Sequence, residues 1–178
     1  MTRFWSLCLV MATLIIVDQL SKGAIQTNLY YGQSIPVIDG FFSIAYVKNT
    51  GAAFGFGAGA HEIFRIVMFL ALPVFFCGWI FYMLIKTLKN PFYLSLAYAL
   101  ILAGAIGNLI DRFSLGYVVD FLLFYWKDES NHFPAFNVAD SCITIAAGLL
   151  IIDFFVQLKA KKAADQAGQN APNSLPKP

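Results

Sequence analysis

Charge is what this chain has least of. Of its 178 residues 12% are charged and 59% hydrophobic, with a mean hydropathy of +0.68, which is too apolar for a soluble domain of this length. The net charge of +2 is too small to argue for nucleic acid, and the basic residues stand at the ends of apolar runs rather than in a patch. Cysteine is scarce too. Cys8, Cys77 and Cys142 are odd in number, lie inside apolar stretches and lack C-x-x-C or Cys/His spacing, so they read as small packing residues rather than a zinc or redox site. There is no G-x-S-x-G, no cysteine near a convincing histidine and no G-K-[ST] behind the Gly-rich stretch, which leaves no motif for a serine hydrolase, a cysteine nucleophile or a phosphate-cradling loop.

What is present is a set of long apolar runs. Phe4 to about Ala24, Ile66 to Ile85, Phe92 to Ile110 and Val138 to Leu158 are each long enough to cross about 30 Å of hydrocarbon at about 1.5 Å per residue. Arg3 precedes the first run, so a cleaved signal peptide is weighed. The run passes directly into D-Q-L-S-K without a small-x-small cleavage site, and a retained first helix is expected. Pro73 predicts a kink in the second span. In the third, Ala103 and Gly107 form a small-x-x-x-small face for close packing. The fold class expected is an all-α polytopic membrane protein, one membrane-embedded domain over residues 1–158. Beyond Lys159 the composition turns to Ala, Lys, Gln, Asn and Pro, a disordered tail over 159–178.

The segment from Thr27 to Glu62 differs. Val37-Ile38 and Phe41-Phe42 flank Asp39-Gly40, a strong hairpin signal, and Phe42, Ile44 and Tyr46 alternate with smaller neighbours as in a half-buried strand. A small sheet is expected between the first two spans. K-N-T-G-A-A-F-G-F-G-A-G-A follows, either a flexible loop or a surface where backbone approaches a ligand, with Asn49 offering an amide. With four spans, Arg3, Lys86, Lys89, Lys159, Lys161, Lys162 and Lys177 fall on one side, so both termini are expected in the cytoplasm.

That topology gathers Asp18, Asn49, Asn108, Asp111, Asp120, Asn137 and Asp140 at the opposite membrane face. Carboxylates beside apolar runs are costly unless paired, hydrogen-bonded or used. Asp18 and Lys22 are four apart, on one helical face, and can pair. In F-N-V-A-D, Asn137 can cap the fourth helix with Asp140 at the capping-box position. Arg112, adjacent to Asp111, points to another side of its helix; it could pair with a carboxylate, but by itself it reads more simply as an interfacial stop signal. Asp153, near Lys159, reads as a plain interfacial residue. If Asp120 and Asp140 face each other they share one proton, Asp140 being the ionised partner and Asp120 the protonated one, and can do acid–base work on a peptide bond without metal or covalent intermediate. A metal site built from Asp111, Asp120, Asp140 and His132 matches no ligand spacing, and no cofactor is expected. The rival from another class is an ion-coupled small membrane transporter with intramembrane carboxylates. It fits less well: four spans are few, no inverted repeat is visible and the acids sit at an edge.

D-Q-L-S-K at Asp18 to Lys22, N-T-G-A-A-F at Asn49 to Phe54, G-N-L-I-D-R at Gly107 to Arg112, V-V-D-F at Val118 to Phe121 and F-N-V-A-D at Phe136 to Asp140 together make the chain closely resemble the lipoprotein signal peptidases (signal peptidase II). The resemblance implies four transmembrane helices with a small extracytoplasmic β-cradle in the bacterial inner membrane. It implies cleavage of diacylglyceryl-modified prolipoproteins just before the lipidated cysteine, by a monomer in contact with membrane lipid. It further implies that Asp120 and Asp140 are a catalytic dyad. Asn49, Gly51, Asn108, Asp111, Arg112 and Asn137 would support the dyad or bind substrate, as would Asp18 and Lys22 of the first-helix motif. The segment from Gly51 to Gly59, with Phe54 and Phe56, is a candidate lid over the substrate.

Overall fold

The computed structural model describes residues 2–51 and 61–169. Helix α1 is Thr2–Asn28. Strands β1 (Ser34–Ile38) and β2 (Phe42–Asn49) follow. Then α2 (Glu62–Ile66), a π-helical turn (Val67–Ala71) and α3 (Leu72–Thr87) form one continuous span. Helix α4 is Phe92–Leu115, β3 is Val118–Trp126, β4 is Asp128–His132 and α5 is Val138–Gln169. Among the described residues, four helices are long and apolar enough to cross a membrane. The helical spans therefore stand where the hydropathy places them, with longer ends. Helix α4 runs past Ile110 to Leu115, so Asp111 and Arg112 are helical, and α5 continues to Gln169 where a disordered tail is expected from Lys159. Residues 170–178 lie outside the described part.

Helix α4 is the centre of the bundle. Of its most apolar stretch 61% of the residues are buried, against 6–17% for the other three spans. One side packs Ala99 and Leu102 on Leu7 of α1 and Leu84 of α3; another packs Ala97 and Leu100 on Cys142 and Ala146 of α5. Small residues set these close contacts. Ala103 is buried, and a Cβ on Gly107 would stand 2.7 Å from Asp18 Oδ2 on α1 and 3.2 Å from Ala139 Cβ on α5, as the expected packing face requires. Gly104 adds to it: a Cβ there would collide with the Ala139 carbonyl oxygen and reach 2.7 Å from Ile143 Cγ1. Gly104→Ala is therefore expected to push α4 and α5 apart and cost about 1–3 kcal/mol, read as a lowered unfolding temperature in detergent.

Pro73 stands in the first turn of α3. It has no N–H to donate, and the turn before it opens to π geometry, with Leu72 N–H reaching back to Val67 O. At the far end of the bundle, Arg3 Nη1 donates to Leu88 O and Asn90 O at 2.7 Å each, tying the start of α1 to the α3–α4 turn.

The strands form one antiparallel sheet in the order β1-β2-β3-β4. The hairpin expected at Asp39-Gly40 is present, closed by Phe41 N–H to Ile38 O at 3.1 Å, with Gly40 at φ 72°. The buried face of β2 differs from the alternation expected. Ser43 and Ala45 are buried while Phe42 and Ile44 are half-exposed, and an irregularity between Ile44 and Val47 then turns Tyr46 inward as well. Tyr46, Val119 and Phe121 pack on Ile25, seating the sheet on the end of α1. Gly116, at φ 78°, ends α4 in a left-handed cap and turns the chain straight into β3.

Candidate active site

The residues singled out in the sequence meet where the ends of α1 and α4, the start of α5 and strands β2 and β3 converge. The register pairs Asn49 with Val118 and Val47 with Asp120. Asn49 therefore lies on the same sheet face as Asp120 and donates from Nδ2 to Asp120 Oδ2 at 3.0 Å. Asp120 Oδ1 accepts from Asn137 Nδ2 at 2.7 Å. Asp140 Oδ1 accepts from Asn108 Nδ2 at 2.7 Å, and its Oδ2 accepts the Asn137 backbone N–H at 3.2 Å. Asn137 Oδ1 in turn accepts Asp140 N–H at 2.9 Å, which completes the expected capping box. Asp140 thus caps its helix with one oxygen and is held by Asn108 through the other.

A layer of buried charge holds this up. Lys22, 2% exposed, spends its three donors on Asp18 Oδ2 at 2.8 Å, Asp111 Oδ2 at 3.0 Å and Asn108 Oδ1 at 3.0 Å. Asp18 Oδ1 accepts Ala139 N–H at 2.9 Å in the first turn of α5, and Asp111 Oδ2 accepts Val119 N–H at 3.0 Å beside Asp120. Each carboxylate of the layer thereby positions the backbone next to one of the two cavity carboxylates. The sequence reading passes over Gln19, whose Nε2 donates to Asp111 Oδ1 at 2.9 Å and to Gly107 O at 3.1 Å. Its only signal is its place beside Asp18 in D-Q-L-S-K.

Arg112 binds a backbone carbonyl rather than a carboxylate, with Nη2 to Gly51 O at 3.0 Å. Arg65, not singled out from sequence, holds the neighbouring carbonyl of Thr50 from Nε at 3.2 Å. Gly51 N–H also donates to Asn49 Oδ1 at 3.0 Å, so this short stretch orients the Asn49 amide. The rest of the candidate lid, residues 52–60, lies outside the described residues. Asp153, read as a plain interfacial residue, pairs with the first turn of α4. It is buried on α5, accepting from Tyr93 Oη at 2.8 Å and Gln157 Nε2 at 2.6 Å. His61 caps α2 instead of joining the cluster, and His132 lines the cavity. Among the described residues no three His, Cys, Asp or Glu side chains are grouped to hold a metal ion.

Asp120 and Asp140 line one cavity of about 930 Å³, together with Asn108 and Arg112. Burial pushes the Asp120 carboxyl up to about 7, helped by the charge of Asp140 and opposed by the Asn49 and Asn137 hydrogen bonds and by Lys22. Two such groups can divide the work, one taking a proton from water and the other giving one to a carbonyl oxygen.

The family model described as "Signal peptidase (SPase) II" matches residues 10–156. The chain belongs to the signal peptidase II family. The lipoprotein signal peptidase of Syntrophus aciditrophicus (strain SB) is 42% identical over 147 residues, covering 83% of this chain and 90% of its own. That of Symbiobacterium thermophilum is 44% identical over 138 residues, covering 78% and 86%. A solved bacterial membrane enzyme superposes with a TM-score of 0.71 at 30% identity, over 97% of this chain and 94% of its own. Membership in signal peptidase II makes the chain a multi-pass membrane peptidase of the aspartic class.

Proposed function

We propose that this signal peptidase II removes the signal peptide from diacylglyceryl-modified prolipoproteins, cleaving before the lipidated cysteine, with Asp120 and Asp140 as the acid–base pair. The observation that carries the reading is that both carboxylates line one cavity, Asp120 held by Asn49 and Asn137 and Asp140 by Asn108 and the Asn137 backbone. Asp140 is the charged partner. It stands in the first turn of α5, where the helix dipole favours an anion, and takes a proton from the attacking water. Asp120, buried and neutral, gives its proton to the scissile carbonyl oxygen. Collapse of the tetrahedral intermediate returns a proton to the leaving amine, and the pair titrates as a unit. Asn49, Asn108 and Asn137 aim the carboxylates, Lys22, Asp18 and Asp111 fix the backbone behind them, and Arg112 holds Gly51 beside the substrate.

The site belongs at the extracytoplasmic edge of the bacterial inner membrane, with both termini in the cytoplasm and the sheet as a cradle above the helices. A lipidated substrate stays in the bilayer because each buried methylene of its acyl chains contributes about 0.8 kcal/mol, whereas hydrolysis needs water. The edge supplies both, and the chain works there as a monomer.

The test is cleavage of a lipidated prolipoprotein by purified protein in detergent, with and without EDTA, across pH. Cleavage is expected to survive EDTA. A carboxyl raised to about 7 holds its proton below that pH and loses it above. The rate should therefore fall about tenfold per unit once pH exceeds about 7. Activity abolished by EDTA, or still climbing at pH 9, would sink the two-aspartate mechanism.

A further inference from the structure

The cavity around Asp120 and Asp140 does not end at the polar groups. Along α5 its wall continues through Ser141, Thr144 and Ile145, and Phe133 and Ala135 complete it. At about 1.5 Å per residue, Thr144 and Ile145 lie about 6–8 Å further along α5 than Asp140. On this wall the hydroxyls are already used. Ser141 Oγ donates to Asn137 O and Thr144 Oγ1 to Asp140 O, each at 2.9 Å. The wall therefore has no hydroxyl proton left for the C=O groups of a peptide, whereas a hydrocarbon chain has no polar group to satisfy. It is also continuous with the lipid-facing surface. Ile145, 57% exposed, begins a stripe that runs on through Ile152 and Phe155 at helical spacing.

We propose that the acyl chains of the substrate's diacylglyceryl group lie along this wall, and that Thr144 and Ile145 set the enzyme's preference for acyl-chain length. The inference rests on the peptidase reading above. Lipid entering beside Ile145 slides towards the N-terminus of α5 and brings the carbonyl before the modified cysteine to Asp120 and Asp140. The peptide is left to the polar side of the cavity, where Asn49, Arg112 and the strand edge can bind its backbone.

The measurement is a ratio, kcat/KM for a substrate with long acyl chains over that for the same peptide with short ones, both taken on one protein preparation so that losses in folding cancel. Thr144→Trp fills the wall and is expected to lower the ratio roughly tenfold, through KM, as losing the burial of one to two methylenes would. Thr144→Ser keeps the hydroxyl and its backbone bond but removes a methyl, and should lower the ratio about threefold. A ratio unchanged in both variants overturns the inference while the peptidase reading stands. Wild-type protein that cuts neither substrate overturns both.

Discussion

Asp120→Asn and Asp140→Asn are each expected to lower kcat for a lipidated prolipoprotein by about a thousandfold or more, and the double variant is expected to be no slower than the worse single. The non-additivity follows from the shared proton. An amide at either position can neither accept a proton from water nor return one, so the remaining carboxylate has no partner to complete the cycle. Each carboxylate oxygen already accepts a hydrogen bond from Asn49, Asn137, Asn108 or the Asn137 backbone. The isosteric change therefore keeps shape and loses chemistry, with at most one acceptor position turned into a donor. Thermal unfolding of the variants in detergent separates this from collapse of the fold. Residual cleavage within tenfold of wild type in either variant would return that aspartate to a capping or pairing role.

The second large effect is on stability. Lys22→Met removes the ammonium between Asp18 and Asp111 and strips Asn108 of a donor. Two carboxylates, 1–3% exposed with the lysine in place, are left facing one another. Removing one partner of a buried ion pair costs about 3–5 kcal/mol, enough to bring a marginally stable fold close to its threshold. The expected result is a steep fall in folded, monodisperse protein and in unfolding temperature. Adding Asp111→Asn to Lys22→Met should recover part of that loss, because it removes one of the orphaned charges. A double variant whose loss equals the sum of the singles would mean that the three groups are not energetically coupled.

Much of this site was legible in the sequence because a membrane makes polarity conspicuous. Asp18, Asp111, Asp120 and Asp140 stand beside apolar runs where each needs a partner, and F-N-V-A-D carries its capping box in plain spacing. Other features depend on which groups meet in space. Arg112 could be read as a carboxylate partner, but lysine already occupies that place from another helix, and the guanidinium turns to Gly51 O. Gln19 carries no charge to mark it. That Gly104 joins Gly107 against α5 is a matter of helix rotation, which apolar composition does not encode. The inward turn of Tyr46 follows from the irregularity after Ile44, which a strict two-residue alternation has no means to anticipate.

Between β3 and α5 the chain makes a long excursion and comes back to where it left. Phe121 and Leu122 both donate backbone N–H groups to Phe136 O, at 3.0 and 2.8 Å, and Phe136 N–H returns a bond to Leu122 O at 3.1 Å. The interval from Asp120 to Asn137 is thus measured across one residue pair, not along residues 123–135. Descendants of this chain can lengthen, shorten or rewrite that loop while the two acids keep their spacing. Because Phe133 and Ala135 lie in the excursion and border the cavity, the range of cargo is free to drift under selection while the chemistry is inherited intact.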